Sequence, residues 1–516
     1  MKPLPMFAGA LERNAKALSS TPGFVLCVGL YMLWLFAFRG FAFPAASGDD
    51  AEQLLFSQSF AWGYDLRNPP LYTWLVIASQ QIFGVTIHSV AFVKFTAMFL
   101  IYLFLRQGAQ GVLGDGRLAS IAALSPLAVY LVAWDSVMNY SQTVLVAAMV
   151  PATFCALQRL DAKPTLASYA ILGAAIGIGL MSKYTYALFI LSLLAAAMMD
   201  GALRARLVNA KALLGLAITA LIVLPHLIWY LDNSAAFAAL VQSKFTFARG
   251  PDALPTPVLG LGAIITAFFN ASVPLIFLLP LFFWKAFAPL RGATAPSARY
   301  RRIIGVSLVI MTGAIVVLVL GAEVTRLRTH YMVLFILFPI YFFARVQAAG
   351  VSGAAPARYA GLLTALAIIV GAAVPAIYLA EPLRCKRCTL MVPYAALAER
   401  LREAGFTRGK IISWYLPVFV SGNLRVHFPD SAVASAKYPV YDPPGLKAPG
   451  QCLVIWERKR HSGVKPRMLD EARKRLGAVI HGDEPTGKIT LALSPARKDK
   501  FQYAFMVVPP GQGSCT

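Results

Sequence analysis

Long apolar runs, separated by short polar segments, repeat along the first 380 residues of the chain. A helix rises 1.5 Å per residue, so about twenty apolar residues cross the roughly 30 Å hydrocarbon core of a bilayer. The pattern predicts a polytopic α-helical membrane protein with eleven spans, near 24–43, 88–107, 117–134, 142–160, 167–181, 184–200, 211–231, 258–284, 303–321, 331–347 and 359–380.

The segment between the first two predicted spans, residues 44–87, is more polar and contains two amphipathic stretches, near 50–62 and 70–84. Both stretches are too short and too polar to cross a bilayer. We therefore expect two helices that lie flat at the membrane interface, separated by an Asn-Pro-Pro turn.

The pattern changes near residue 382. LAERLREAGF has helical spacing and ends at a glycine, whereas GKIISWYL, CLVIWER and FQYAFMVV are short strand-like runs. The sequence thus predicts two domains, a transmembrane domain over residues 1–381 and a small soluble α/β domain over residues 382–516. No small-residue cleavage site follows the first apolar run, so we expect an uncleaved first span.

Composition and charge agree with this division. Of the 516 residues 58% are hydrophobic and 14% charged, and the mean hydropathy is +0.65, which excludes an ordinary soluble protein. The formal net charge of +24 does not indicate a nucleic-acid partner, because most basic residues lie in short loops between apolar runs. Their distribution predicts an inner-membrane protein of a bacterium, with its N-terminus on the cytoplasmic side. An odd number of spans then places the tail in the periplasm.

Two of the six cysteines lie in predicted spans, and four lie in the tail: Cys385, Cys388, Cys452 and Cys515. In an oxidising compartment the four tail cysteines can form up to two disulfides, with three possible pairings. Free thiols, or a redox or metal pair in the CKRC segment, are the alternatives.

Charged residues from five separate segments are predicted on one outer face. They are Asp49, Asp50 and Glu52, then Asp135, Lys183, the pair Lys244 and Arg249, and finally Arg326, Arg328 and His330. Ionisable groups at a membrane are costly and usually pair or serve a site. A carboxylate can act as general base on an acceptor hydroxyl, and cations can hold a leaving phosphate. Aromatic residues of the first loop can admit a lipid chain, so the set predicts transfer from a lipid-phosphate donor.

Each of these residues also has a structural interpretation, as a helix cap, a solvated or lipid-contacting charge, or a packed interfacial side chain. The adjacent acids Asp49 and Asp50 also suit a divalent metal, although no His or Cys ligand pattern accompanies them. The argument for a site depends on the whole set lying on one side of the membrane.

The stretch GDDAEQLLFSQSFAWGYDLRNPPLYTWL resembles the first periplasmic loop of the bacterial GT-C glycosyltransferases related to protein O-mannosyltransferases and lipid A aminoarabinose transferases. Asp49 lies at the family's catalytic Asp, Asp50 stands where Glu is usual, and Asn68 replaces the common His before two prolines. LMSKYTYALF resembles the family's Leu-x-Ser/Thr-Lys hairpin, with Lys183 at the lysine. RLRTHYMVLFILFPIYF resembles the later basic-aromatic segment, and SGNLRVHFPDSAV resembles the periplasmic domain.

The resemblance implies a GT-C fold and an inverting transfer of a sugar from a polyprenyl phosphate. The acceptor would be lipid A, core oligosaccharide, another surface glycan or a protein. Asp49 would act as general base or position the acceptor, with Asp50 as its substitute and Asp135 orienting the acceptor or the basic residues. The expected donor phosphate ligands are Lys183, Arg326, Arg328 and His330, and the expected acceptor or lipid contacts are Glu52, Trp62, Tyr64 and Asn68. A metal requirement is left open.

Two other classes of protein fit a polytopic pattern. One is a lipid or glycan transporter or flippase with a site at mid-membrane. The other is a non-catalytic scaffold for envelope assembly that uses the tail as a binding module. The sequence shows no inverted repeat, and its charges gather at one face, which favours the glycosyltransferase.

Overall fold

The computed structural model describes most of the chain. The described residues are 18–46, 48–233, 255–289, 297–321, 324, 327–384, 390–414, 417–438, 440–446, 450–457, 466–476, 486–492, 500–508 and 515. Five residues named from the sequence lie outside this part of the chain: Lys244, Arg249, Arg326, Cys385 and Cys388.

Helices dominate the part of the chain that precedes the tail. In chain order they are α1 (Thr21–Ala37), α2 (Asp49–Phe56), α3 (Leu71–Phe83), α4 (Ile87–Leu113), α5 (Gly116–Leu124), α6 (Gln142–Ala162), α7 (Leu166–Ser182), α8 (Tyr186–Met198), α9 (Gly201–Leu207), α10 (Ala212–Asp232), α11 (Thr256–Ser272), α12 (Leu275–Phe283), α13 (Ala298–Gly321), α14 (Phe338–Ala348) and α15 (Ala354–Arg384).

Six of the described helices, α1, α4, α6, α10, α13 and α15, are long and apolar enough to cross a membrane, or up to eight if two bent pairs each count as one span. The predicted helical membrane architecture is confirmed, and the number of eleven spans stays a prediction. The window 258–284 is divided into α11 and α12 at Val273, whose backbone is extended, as is favoured for a residue that precedes proline. The window 117–134 contains α5 followed by short irregular turns.

The first loop contains two short helices, as the amphipathic pattern predicts. Helix α2 has only eight residues and α3 has thirteen, and both end well before a bilayer would be crossed. Helix α2 begins directly after Gly48, whose φ of 56° lies in the left-handed region that favours glycine. This turn fixes where the three acidic residues of α2 start.

The tail forms a small α/β fold with helices α16 (Tyr394–Glu403), α17 (Pro417–His427) and α18 (Pro466–Leu476). Its strands are β1 (Gly409–Trp414), β2 (Ala432–Ser435), β3 (Gln451–Glu457), β4 (Thr486–Ala492) and β5 (Lys500–Val508). The sheet has the order β2-β1-β3-β5-β4, in which β1 pairs in parallel with both β2 and β3, and β5 pairs antiparallel with β3 and β4. The three predicted strand runs correspond to β1, β3 and β5. A disulfide joins Cys452 to Cys515.

The tail is packed tightly onto the first loop through α17 and β2. Asn423 of α17 accepts a hydrogen bond from the Ala46 amide and donates one to its carbonyl, both at 2.8 Å. Gln58 makes the same two-way contact with the backbone of Val433, again at 2.8 Å. A Cβ on Gly422 would come within 2.0 Å of the Ala51 carbonyl oxygen, so α17 and α2 approach closely only because this residue is glycine. The tail and α2 therefore lie on the same side of the membrane domain.

Candidate functional site

Asp49 is the first residue of α2 and faces the beginning of α6. Its Oδ2 accepts a hydrogen bond from the Ser141 amide at 3.3 Å. Burial raises the pKa of Asp49 to about 6; the charge of Glu52 adds to this effect, and the charge of Lys183 opposes it. A carboxyl with a pKa this close to neutrality is suited to exchange a proton.

Lys183 directly follows α7, and its side chain reaches the beginning of α6. Its Nζ donates to Thr143 Oγ1 at 2.7 Å and lies 5.8 Å from the centre of the Tyr331 ring. The lysine is 8% exposed, so its charge acts in a poorly hydrated place. The Asp49 carboxylate and the Lys183 ammonium thus meet at the N-terminus of α6, where they contact Ser141 directly before the helix and Thr143 in its first turn.

The segment between α13 and α14 closes this cluster from another side. It forms a short helical turn, Thr329–Phe335, in which the His330 ring packs edge-on against Tyr140 at 5.5 Å and Tyr331 at 4.5 Å. Arg328 precedes the turn and is exposed, and its charge acts on the hydroxyls of both tyrosines. Three of the four predicted phosphate ligands therefore surround Tyr140 and Ser141, and Arg326 lies outside the described residues.

Asp50, adjacent to Asp49, turns into the protein instead. It forms ion pairs with Arg39 at 3.1 Å and Lys94 at 2.7 Å, and all three side chains are at most 5% exposed. Arg39 comes from the turn after α1 and Lys94 from within α4, so the triad joins three elements. Two of its members are cations, which leaves one net positive charge in the interior.

Glu52 lies one helical turn after Asp49 and contacts the tail. It accepts hydrogen bonds from Arg67 at 2.8 Å and from the Tyr438 hydroxyl, and Lys437 lies 3.9 Å away. Arg67 also pairs with Asp65. Burial would raise the pKa of Glu52, but the neighbouring cations outweigh it and lower that pKa below its usual value. Glu52 thus remains charged and acts on Asp49.

The other residues that the sequence singles out lie around this centre. Asp135 accepts a 3.3 Å hydrogen bond from Asn139 in the turn before α6. Trp62 is 46% exposed and packs edge-on against Trp74, whereas Tyr64 is buried and bonds the backbone of Ser59 and Ala61. Asn68 forms an isolated bridge with Asp65. The structure therefore gives Tyr64 and Asn68 contacts that shape the first loop.

Several residues at the centre were not singled out from the sequence. They are Tyr140, Ser141, Thr143, Arg39, Lys94, Arg67, Lys437 and Tyr438. Lys94 carries a usable signal, because a lone lysine inside an apolar span needs a partner. The tail residues carry none, since the contact of Tyr438 with Glu52 joins positions 386 residues apart in the sequence.

A metal centre does not fit the side chains that are placed here. Within the described residues, no three His, Cys, Asp or Glu side chains come together as ligands. Asp50 also has both oxygens against cations, so the pair Asp49 and Asp50 does not offer two open carboxylates.

Sequence and fold comparisons show which proteins the chain resembles. Residues 67–229 match the family described as dolichyl-phosphate-mannose-protein mannosyltransferase. The fold is similar to that of ArnT from Cupriavidus metallidurans, with a TM-score of 0.57 for the apo state at 12% identity, covering 94% of this chain and 98% of that one. The same protein bound to undecaprenyl phosphate gives a TM-score of 0.56 at 13% identity, with the same coverage. The resemblance to GT-C membrane glycosyltransferases is confirmed, and the chain is an integral membrane protein.

Two named relatives are more similar in sequence, and both are from Rhizobium johnstonii. The lipopolysaccharide core galacturonosyltransferase RgtB is 29% identical over 434 residues, which cover 83% of this chain and 86% of the relative. The lipopolysaccharide core galacturonosyltransferase RgtA is 28% identical over 481 residues, which cover 90% of this chain and 92% of the relative.

Proposed function

We propose that the protein is an inverting glycosyltransferase that moves a sugar from a polyprenyl phosphate to a periplasmic glycan acceptor. The meeting of Asp49 and Lys183 at the N-terminus of α6 carries this proposal. A base and a phosphate-binding cation at this spacing suit attack of an acceptor hydroxyl on an anomeric carbon whose leaving group is phosphate. The protein would lie in the inner membrane of a bacterium, with its N-terminus on the cytoplasmic side and the site and the tail on the periplasmic side.

Asp49 would take the proton from the acceptor hydroxyl as that oxygen attacks. Its pKa of about 6 supports this role, because a general base works best when its pKa lies near the operating pH. In-line displacement would break the bond from the anomeric carbon to the phosphate oxygen and invert the anomeric configuration. With a phosphate acceptor no proton need be removed, and Asp49 would then position the acceptor.

The leaving polyprenyl phosphate would be held by Lys183, Arg328, His330 and the N-terminus of α6. Helix N-termini favour anions, because their free amides and the helix dipole both point toward the ligand. The ArnT structure bound to undecaprenyl phosphate supports a lipid phosphate as donor for this fold. Arg326 remains a proposed fourth ligand.

The polyprenyl chain would enter an apolar cavity of about 180 Å³ beneath the Thr329–Phe335 turn. The cavity is lined by side chains such as Val132, Phe268, Leu275 and Met332. Met332 of its lining belongs to the same turn as His330, so a lipid chain placed there would keep its phosphate near the basic residues. Burial of its methylenes would contribute about 0.8 kcal/mol each.

The sugar and the acceptor follow from the two relatives. Both are named as lipopolysaccharide core galacturonosyltransferases, and each is matched over more than four fifths of its length. We therefore propose galacturonic acid as the donor sugar and the lipopolysaccharide core as the acceptor. Lipid A, other surface glycans and proteins remain the alternatives that the same experiment would detect.

Replacement of Asp49 by Asn should abolish transfer while leaving the protein in the membrane. The amide keeps the size of the side chain but cannot take a proton. Mass spectrometry of lipid A, core, surface polysaccharide and glycoproteins would compare wild type, a deletion strain, and the deletion strain with the native or the Asp49→Asn gene. The expected result is a sugar that disappears on deletion, returns with the native gene and stays absent with Asp49→Asn.

The matched control is Asp470→Asn, which changes a carboxylate that is 70% exposed in the tail. This variant should restore the missing sugar. Full restoration by Asp49→Asn would remove Asp49 from the reaction. An unchanged set of glycans in the deletion strain would move the test to purified protein with polyprenyl-phosphate galacturonic acid.

A further inference from the structure

The tail contains a polar groove of about 650 Å³ at the amino ends of its parallel strands. Its walls come from the starts of β1, β2 and β3, from the loop after α17, and from Gln58 of the first loop. A cavity of this volume lies in the range that accommodates small polar ligands. The groove is separate from the cluster around Asp49, and the proposed transfer reaction does not use it.

The groove is positively charged. Three cations line it, Arg408, Lys410 and Arg425, whereas Asp430 is its one acidic lining residue among those described. Thr407, Ser431 and Gln451 add hydrogen-bonding groups. The net charge of the lining is therefore positive, and it favours an anionic ligand with several polar groups.

Two of the three cations are held away from water. Lys410 is 1% exposed, and Arg425 is 7% exposed. Arg425 donates from Nη1 to the Pro429 carbonyl at 2.8 Å, and its buried Nε has no acceptor among the described residues. Burial lowers the pKa of both side chains. Burying the Arg425 guanidinium costs free energy, which an anion in the groove would offset.

The groove is held in a fixed position relative to the candidate active site. Asp49 starts α2 and Gln58 lies just beyond its end, so the two sites are separated by about the 12 Å length of an eight-residue helix. The hydrogen bonds of Gln58 to Val433 fasten the groove wall to this helix. An extended oligosaccharide is long enough to reach both ends of α2 at once.

We propose that this groove binds an acidic part of the glycan acceptor, at a distance from the hydroxyl that reacts beside Asp49. The inference rests on the proposed function for the identity of the ligand, but the groove can be tested without any transfer reaction. Carboxylate or phosphate groups on the glycan would pair with Arg408 at the rim and Arg425 and Lys410 at the floor.

Direct binding is the first test. Purified full-length protein in detergent would be titrated calorimetrically with digalacturonic acid and with the neutral disaccharide cellobiose. We expect the acidic disaccharide alone to bind, and we expect Arg408→Ala to weaken that binding about tenfold, as loss of one charge-assisted hydrogen bond does. Arg408 is exposed, so its removal should not disturb folding.

The matched control is Lys474→Ala, which removes an exposed cation from α18 outside the groove. It should leave the affinity for digalacturonic acid unchanged. Equal binding of the two disaccharides, or equal effects of Arg408→Ala and Lys474→Ala, would overturn the proposal.

Kinetics separate this proposal from the proposed function. With a long acidic acceptor, Arg408→Ala should raise KM about tenfold and leave kcat unchanged, whereas a short neutral acceptor should show no change in either constant. An inactive wild-type protein that still binds digalacturonic acid would refute the transfer reaction and keep the groove. Normal transfer with a KM that does not change in Arg408→Ala would refute the groove and keep the transfer reaction.

Discussion

At the residue scale, two adjacent carboxylates have different surroundings. Asp49 faces the start of α6 and Lys183, whereas Asp50 is enclosed by Arg39 and Lys94. Side chains of successive helical residues point about 100° apart. Asp49 therefore faces the candidate site, whereas Asp50, the next residue of α2, faces the protein interior. The sequence places both acids in the right segment, but it cannot tell which one faces which partner.

The pH dependence of transfer provides a test at this scale. A general base must be deprotonated, so the rate should fall as pH drops below the Asp49 pKa of about 6. Glu52→Gln removes a negative charge that raises this pKa, and the acidic limb should therefore move to lower pH. Values of kcat/KM, which report the pKa of the free enzyme, would be measured across about pH 5 to 8, a range that brackets that pKa.

The control for the pH profile is Asp470→Asn. The acidic limb of its pH–rate profile should coincide with that of wild type. A limb that stays in place in Glu52→Gln would show that the titrating group is not Asp49. Loss of all activity in Glu52→Gln would make thermal stability the second readout, because Glu52 also bonds Arg67 and Tyr438.

Thermal stability gives an independent measure of the same carboxyl. A carboxyl whose pKa is raised by folding disfavours the folded state once it is ionised. The penalty is absent below the unfolded pKa of about 4, grows as pH rises and is complete above about 6. We therefore expect Asp49→Asn to raise Tm at pH 8 and to leave it unchanged near pH 4. An equal Tm difference at both pH values would contradict this linkage.

At the element scale, α2 lies between the tail and the membrane domain. Its contacts with both join residues that are distant in the sequence, and sequence patterns do not predict such contacts. The amphipathic pattern predicts α2 and α3, and the strand-like runs predict β1, β3 and β5 of the tail. The contacts of β2 and α17 with the segment around α2 join residues more than 370 positions apart, such as Asn423 and Ala46. Local periodicity carries no information on such pairs, so the docking surface was not predicted.

Asn423 provides the test of this docking surface. Its replacement by Ala leaves the buried amide and carbonyl of Ala46 without partners, which should destabilise the protein by about 2 kcal/mol or more. We expect a lower Tm and a slower transfer rate, because α2 carries Asp49. The control Gln107→Ala removes an exposed side-chain amide from α4 and should change neither quantity. Unaltered transfer by a stably folded Asn423→Ala protein would show that the tail does not position α2.

At the scale of the whole molecule, the tail, the first loop and the beginning of α6 gather on one side. Charge patterning in the sequence predicts this arrangement, because acids concentrate on one face of the predicted membrane domain and bases on the other. The number of spans was harder to predict. Several windows contain prolines or short turns, so hydropathy alone does not distinguish one long helix from two short ones.

The predicted orientation can be tested with a thiol reagent that does not cross membranes. In a variant that lacks Cys27, Cys155, Cys385 and Cys388 and keeps the Cys452–Cys515 disulfide, Lys474→Cys in the tail should be labelled in intact spheroplasts. Arg204→Cys, an exposed position of α9, should be labelled only after permeabilisation. The reverse pattern would invert the orientation and place the candidate site in the cytoplasm.

The triad of Arg39, Asp50 and Lys94 has a consequence for biogenesis. Lys94 belongs to an apolar helix that the translocon would release into lipid, where an unpaired charge costs a few kcal/mol or more. Its counter-charge belongs to α2, which has already emerged when α4 is synthesised. Lateral release of α4 is therefore favoured only once α2 has docked beside it. The first hundred or so residues would assemble as a folding nucleus, and the later helices and finally the tail would pack against it.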